Sequence, residues 1–324
     1  MAISRRNFHH YAVALGLSSL LPQANAQAEK VVRLIIPGPP GGASDIMARI
    51  LSDDISRQLG QTIVIEARPG AGGNVAAEMV AKAPADGNTL LFGDIGPLAI
   101  NVTLFPSLPF DPTRDFEPIA RVAVFPWVVV AHPSLGAKNL NEVFAIARKT
   151  PGGLAFATPG QGTPMHLTGA LLQKVSGAEF VHVPYKGGGP ATLDVVAGHV
   201  KLGIVGLPPA AQHIQSGALV GVGLSTANRS PLAPTISPLK ESGLQDFDAG
   251  VWYGILAPRG TPKAVVQRIN AAVAFALQQP HNIERLAKTG VMPWFTTPDV
   301  FRSFIESEGR RWAPLVKESG AKVE

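Results

Sequence analysis

The chain has 324 residues, 46% of them hydrophobic and 16% charged, with 34 glycines, 29 prolines and no cysteine. This is globular composition, long enough for two domains, and it excludes thiol catalysis, disulfides, cysteine-held metal and an acylated-cysteine anchor. The net charge of +5 is spread as single basic residues among acidic ones, without the basic stripe of a nucleic-acid binder, so no nucleic-acid partner is expected.

Three features follow one another at the N-terminus: the basic string Ser4-Arg5-Arg6-Asn7-Phe8, an apolar run over residues 11–21, and Ala24-Asn25-Ala26. Together they form a secretory signal cleaved after Ala26, and the paired arginines point to the twin-arginine export route. The apolar run is too short to cross a hydrocarbon core of about 30 Å. No later stretch approaches twenty apolar residues, so a soluble periplasmic protein is expected.

Val31-Val32-Arg33-Leu34-Ile35-Ile36 predicts a buried strand, closed by Pro37-Gly38-Pro39-Pro40-Gly41-Gly42. Apolar residues at helical spacing (Ile46, Ala48, Ile50, Leu51, Ile55, Leu59) predict the next helix, ended by Gly60. A strand at 62–65, a glycine turn at 70–73, a helix to Ala83 and a strand at 89–92 follow. A Pro-rich connector leads to the apolar strand that starts at Trp127. A second α/β series then runs through strands at 154–157, 180–183, 200–205 and 219–225, with helices at 140–149, 166–175, 190–197 and 210–216. Trp252 opens another apolar strand, and a tail of helices runs from Pro262 to the end. Strands alternating with helices predict α/β sheets that are mixed but mostly parallel, flanked by helices, in two lobes. The strands at Trp127 and Trp252 are expected to be the pair that crosses between lobes. That places lobe 1 at 27–124 plus 252–324 and lobe 2 at 125–251.

Enzyme signatures are weak. Gly70-Ala71-Gly72-Gly73-Asn74-Val75 follows a strand and opens a helix, but Val75 stands where a dinucleotide fingerprint needs its third glycine. No phosphate-binding Gly-x-x-x-x-Gly-Lys motif, nucleophile elbow or His-Glu-x-x-His occurs. No metal or other cofactor is expected, and no catalytic residue. What recurs is a glycine-rich loop between a strand and a helix: residues 39–45 in lobe 1 and residues 158–163 in lobe 2. Such loops bring backbone amides and a helix N-terminus up to an anion, and one per lobe would face a shared cleft.

Arg33-Leu34-Ile35-Ile36-Pro37 with Pro39-Pro40-Gly41-Gly42-x-x-Asp45 resembles the opening of the solute-binding proteins of tripartite tricarboxylate transporters, the Bug family. So do Arg68-Pro69-Gly70-Ala71-Gly72-Gly73-Asn74, Lys82-Ala83-x-x-Asp86-Gly87, Ala99-Ile100-Asn101, Gly160-x-Gly162-Thr163-x-x-His166-Leu167 and His182-Val183-Pro184-Tyr185-Lys186-Gly187. Leu207-Pro208, Gly254-x-x-Ala257-Pro258-x-Gly260-Thr261-Pro262 and Trp312 continue the likeness, in order, to the end of the chain. The resemblance implies a clamshell periplasmic binding protein, a monomer without catalysis, that holds a small carboxylate and delivers it to integral-membrane permease subunits. Ligand contacts are expected from Gly41, Gly42 and Ser44 in lobe 1 and from Thr158, Gly162, Thr163, His166 and Tyr185 in lobe 2. Three departures from the family pattern bear on specificity. Gly38 replaces an aromatic, Ile204-Val205-Gly206 replaces a polar string, and Gly93-Asp94-Ile95-Gly96-Pro97 replaces a hydroxyl-rich loop. Asp94 would repel a dianion and receive an amine, which favours a monocarboxylate with an apolar, aromatic or cationic remainder over citrate. Two alternatives stand beside this reading: an exported α/β enzyme acting on a carboxylate, and a binder serving a membrane sensor.

Overall fold

The computed structural model describes residues 31–244 and 247–322, and the expected export signal at 1–26 lies outside the described residues. Short β-branched runs form the strands, and Gly or Pro closes most of them. In chain order, β1 (Val31–Ile36) leads to α1 (Ala43–Leu59), β2 (Thr62–Ala67) to α2 (Asn74–Ala81), and β3 (Thr89–Asp94) through a wide helical turn to the short α3 (Asn101–Leu104). β4 (Phe116–Phe125) and β5 (Trp127–Ala131) are separated by Pro126 alone. Next come α4 (Leu140–Ala147), β6 (Leu154–Thr158), α5 (Pro164–Ser176), β7 (Phe180–Pro184), α6 (Gly188–Val196), β8 (Leu202–Gly206), α7 (Leu207–Gln215) and β9 (Val220–Leu224). β10 (Val251–Pro258), α8 (Lys263–Gln278), α9 (Pro280–Lys288), β11 (Met292–Pro293) and α10 (Pro298–Ser319) complete the described chain.

Two sheets result, six-stranded in the order β11-β4-β10-β3-β1-β2 and five-stranded in the order β7-β6-β8-β5-β9. β1 pairs in parallel with β2 and β3, and β6 in parallel with β7 and β8. Only β10 and β11 in the first sheet and β5 in the second run against the rest. Helices cover the sheets as their apolar spacing demands. On α1, Met47, Ala48, Ile50, Leu51 and Ile55 are buried in one cluster with Val266, Ile269, Val273 and Ala276 of α8. Each fully buried Ile or Leu there contributes roughly 1.5–3 kcal/mol.

The crossing between sheets differs from the expectation. Trp127 opens β5 in the second sheet and Trp252 lies on β10 in the first, so neither strand itself spans the two. The chain crosses at Pro126 and returns between β9 and β10. The two passages are tied: Trp127 N–H donates to Ser225 Oγ and Ser225 N–H to Trp127 O, both at 3.0 Å, and Ala249 N–H donates to Ser225 O at 2.9 Å. The ten-residue β4 also corrects the sequence reading, which takes this stretch as a Pro-rich connector. Pro118, which has no N–H for a ladder, pairs with Leu256 beside a register shift in β10, where a bulge tolerates it. Arg121 is buried on the same strand, its guanidinium carbon 3.3 Å from the Trp294 ring centroid and 4.0 Å from that of Phe304. Burial pulls its pKa down to about 10.

α10 closes the crossing. The buried Glu308 accepts from Trp252 Nε1 at 2.9 Å and Trp312 Nε1 at 3.0 Å, while Arg311 donates to Asp248 O at 2.6 Å. Trp127 packs against Trp312 and Phe247, with centroids 6.4 and 6.3 Å away. A buried carboxylate is tolerated here because hydrogen-bond donors surround it.

Candidate functional site

The loops that follow β1, β2 and β3 converge because these strands are neighbours running in one direction. A side chain on Gly73 would place its Cβ 3.0 Å from Pro37 and 3.2 Å from Pro97, so only glycine lets the three loops touch. Asn101 ties two of them, donating to Gly72 O at 3.0 Å and Asn74 Oδ1 at 2.7 Å. The sequence points to Gly41 and Gly42 as anion-facing amides, but both are engaged within their own loop. Gly41 N–H donates to Asp45 Oδ2 at 2.9 Å and Gly42 N–H to Pro39 O at 3.0 Å. Asp45 is buried beside Arg49, whose hydrogen bond, with that of Gly41, holds its carboxyl below the usual range. The open donors are the next ones along: among the described residues, the amides of Ala43, Ser44 and Asp45 have no acceptor in the chain. They are the positive end of a seventeen-residue helix. Ser44 is buried there at 4% exposure, its Oγ 2.6 Å from where a Cβ on Gly38 would lie. Asp94 ends β3 half-buried and accepts Gly96 N–H at 2.9 Å. Burial pushes its pKa up to about 6, and its charge in turn adds to the burial that raises the pKa of Tyr253, its partner across the β3–β10 ladder.

The second loop set follows β6 and β7, again parallel neighbours. Tyr185 N–H donates to Thr158 O at 3.0 Å and Gly187 N–H to Pro159 O at 2.9 Å, which fastens the start of α6 to the β6 loop. Most of the residues proposed from sequence as ligand contacts here serve to shape the loop. Thr158 is fully buried, its Oγ1 2.6 Å from His182 Nε2. Thr163 caps α5, accepting His166 N–H at 3.3 Å and donating to Gly160 O at 2.8 Å. His166 is 5% exposed, and its Nδ1 accepts Gly162 N–H at 3.1 Å. Tyr185 donates to Asp194, and burial raises its pKa to about 12 with the Asp194 hydrogen bond adding to it. The amides of Gly188 and Gly189, at the free start of α6, have no acceptor among the described residues. His182 and Asn101 hold the loops of the candidate site, and neither was singled out from the sequence as a site residue. Both stand in the family-like strings, but only the fold shows what they hold.

The two loop sets meet. Gly162 has φ +70°, and a Cβ on it would lie 2.4 Å from Leu104 Cδ2. Leu104 lies three residues beyond Asn101 on α3, so the β6 loop rests directly on the element that orders the β2 loop. Both sets stand at the carboxyl ends of parallel strands, the place where open α/β sheets take ligands. Their chemistry is that of holding: backbone amides at two helix starts, hydroxyls and one raised carboxyl. No group of three or more His, Asp or Glu among the described residues could hold a metal.

A two-lobed α/β fold with its polar loops at the facing strand ends is a binding-protein architecture. The family model described as tripartite tricarboxylate transporter family receptor matches residues 47–321, and the chain belongs to that family. It is 36% identical to the protein BugT of Bordetella pertussis over 301 residues, covering 93% of this chain and 92% of that one. Among solved structures it is similar to Rhodopseudomonas palustris Rpa4515 with adipate, at 32% identity and TM-score 0.79, covering 90% of this chain and 98% of that one. It is also similar to MatC (Rpa3494) of the same organism with bound malate, at 32% identity and TM-score 0.75, covering 88% and 98%. No helix among the described residues is long and apolar enough to cross a membrane.

Proposed function

We propose that this chain is an exported solute-binding protein that captures a small carboxylate between its two loop sets and presents it to a membrane permease. The observation that supports this most is the meeting of the loops at Gly162 and Leu104, with the open amides of α1 and α6 in the two halves. Adipate and malate in the related structures agree with a carboxylate. In this reading the ligand's carboxylate takes the amides of Ser44 and its neighbours or those of Gly188 and Gly189. Asp94 selects what stands at its other end. Residues 27–124 with 252–324 form one lobe and 125–251 the other, hinged at the two passages beside Ser225. The chain works as a monomer and releases its ligand chemically unchanged.

A melting-temperature screen against mono- and dicarboxylates, including adipate and malate, tests this. A hundredfold excess over the dissociation constant stabilises by about 2.7 kcal/mol, several degrees for a chain of this size. Solution scattering with the hit should give a smaller radius of gyration, because a ligand gripped by both lobes favours the closed form. A panel without a hit would refute carboxylate capture, and conversion of the hit would establish an enzyme. Sequencing the periplasmic form should find Gln27 first.

A further inference from the structure

Two imidazoles stand behind the turn that follows β6. His166 of α5 and His182 of β7 stack face to face, ring centroids 3.8 Å apart and planes inclined by 15°. Each grips the turn by one nitrogen: His166 Nδ1 accepts Gly162 N–H at 3.1 Å, and His182 Nε2 lies 2.6 Å from the Thr158 hydroxyl. That hydroxyl in turn accepts Gly160 N–H at 3.3 Å. An imidazole nitrogen accepts only when it carries no proton, so the bond to Gly162 defines His166 as neutral with its proton on Nε2. Protonation would set one N–H against another at Gly162 and place a cation against the face of a second imidazole.

We propose that His166 is a positioning residue for the capture turn: its unprotonated Nδ1 holds Gly162 against Leu104, His182 braces the ring, and protonation releases the turn. The role of the turn in capture rests on the function proposed above; the release itself does not. Burial lowers the pKa of both imidazoles, His182 to about 4, with His166 adding to the effect. Behind the rings lies a cavity of about 450 Å³, whose charged lining is Lys174 of α5 and Glu318 of α10, ion-paired at 2.9 Å. β6 and β7 otherwise contribute Phe156 and Phe180 there, which do not titrate. Because the folded pKa lies below the unfolded value, the neutral pair favours the fold above pH 6.5. That contribution is lost as pH falls from there toward about 4.

Amide hydrogen exchange of the ligand-free mature protein, expressed as protection over intrinsic exchange at each pH from 7.5 to 4.5, tests the release. Protection of Gly162 should fall by up to tenfold per pH unit once His166 begins to protonate, ahead of the sheet amides. In His166→Asn, whose Oδ1 replaces Nδ1 as an acceptor that does not titrate in this range, Gly162 should stay protected throughout. His166→Leu should leave it unprotected at every pH, and where that variant does not fold the Asn variant carries the test. Protection in the wild type that is flat to pH 4.5, or pH dependence that survives in His166→Asn, would overturn the proposal. A carboxylate screen without hits would instead count against capture and leave the exchange result standing.

Discussion

The two loop sets meet where Gly162 lies against Leu104 but are built from different electrostatic material. Around β1–β3 two loop amides are held by carboxyls: Asp45 takes Gly41 and Asp94 takes Gly96. Around β6 and β7 the same work falls to hydroxyls and neutral imidazoles, and the nearby Asp194 is occupied by Tyr185 and His199. On the function proposed, the carboxyl of Asp94, which has no basic partner among the described residues, discourages an anion beside it, while the open amides of Gly188 and Gly189 can receive one. In that reading the ligand's carboxylate therefore sits toward α6, and its remaining part faces Asp94.

The largest effect that would break this comparison is expected at the contact itself. Gly162→Val adds a branched side chain at positive φ where Leu104 leaves 2.4 Å, so the loops can no longer meet. Calorimetry with the screened ligand should show affinity falling more than a hundredfold, about 3 kcal/mol. Pairing Gly162→Ala with Leu104→Ala should recover part of what Gly162→Ala alone loses. Equal loss with and without the second change would mean that the contact is incidental.

Asp94→Asn sharpens the electrostatic half. With a folded pKa of about 6 against an ordinary 3.8, the protonated carboxyl favours the fold. This contribution is complete below pH 3.8 and lost as pH rises through 6. Asparagine removes that loss, so the variant should be more stable than the parent by about 2 kcal/mol at pH 7.5 and nearly equal to it at pH 3. Urea denaturation at the two pH values reads this. A dicarboxylate should also bind the variant more tightly and an amine-bearing carboxylate more weakly. Identical stability at both pH values would remove Asp94 from a desolvated position.

A smaller loss is expected for Asp45→Ala, which frees Gly41 N–H and Arg49, about 1–2 kcal/mol of stability at neutral pH. The Asp45 carboxyl pKa is lowered in the fold, so its contribution is present above pH 3.8 and fades as pH drops through the folded value. Thermal melts at pH 7 and pH 3 should therefore show the gap closing at the acidic end.

Much of the fold was legible because burial leaves a simple trace. The run at 127–131 is apolar without interruption and that at 31–36 is broken only by Arg33, and both are strands at those bounds. β4 was hidden by Pro118 and Arg121, two residues that argue against a central strand. A ladder irregularity accommodates the first and an aromatic sandwich the second, and neither is visible without the partner strands. The site was legible as loops and obscure as atoms. Glycine and hydroxyl residues mark where backbone turns toward a ligand, yet the same residues build the turn. Which amide remains open depends on Asp45 and His166 reaching back four residues to claim one.

The tryptophans at the crossing give the molecule an optical property. Of the four in the chain, Trp127, Trp252 and Trp312 are at most 1% exposed, while Trp294 is 39% exposed beneath Arg121. Indole emission follows the polarity and packing around the ring, and a change of angle between the sheets must repack the rings that Glu308 and Phe247 hold together. The intrinsic ultraviolet fluorescence thus reads the joint between the sheets without an attached dye. Trp294, alone of the four, stands within reach of a dissolved quencher.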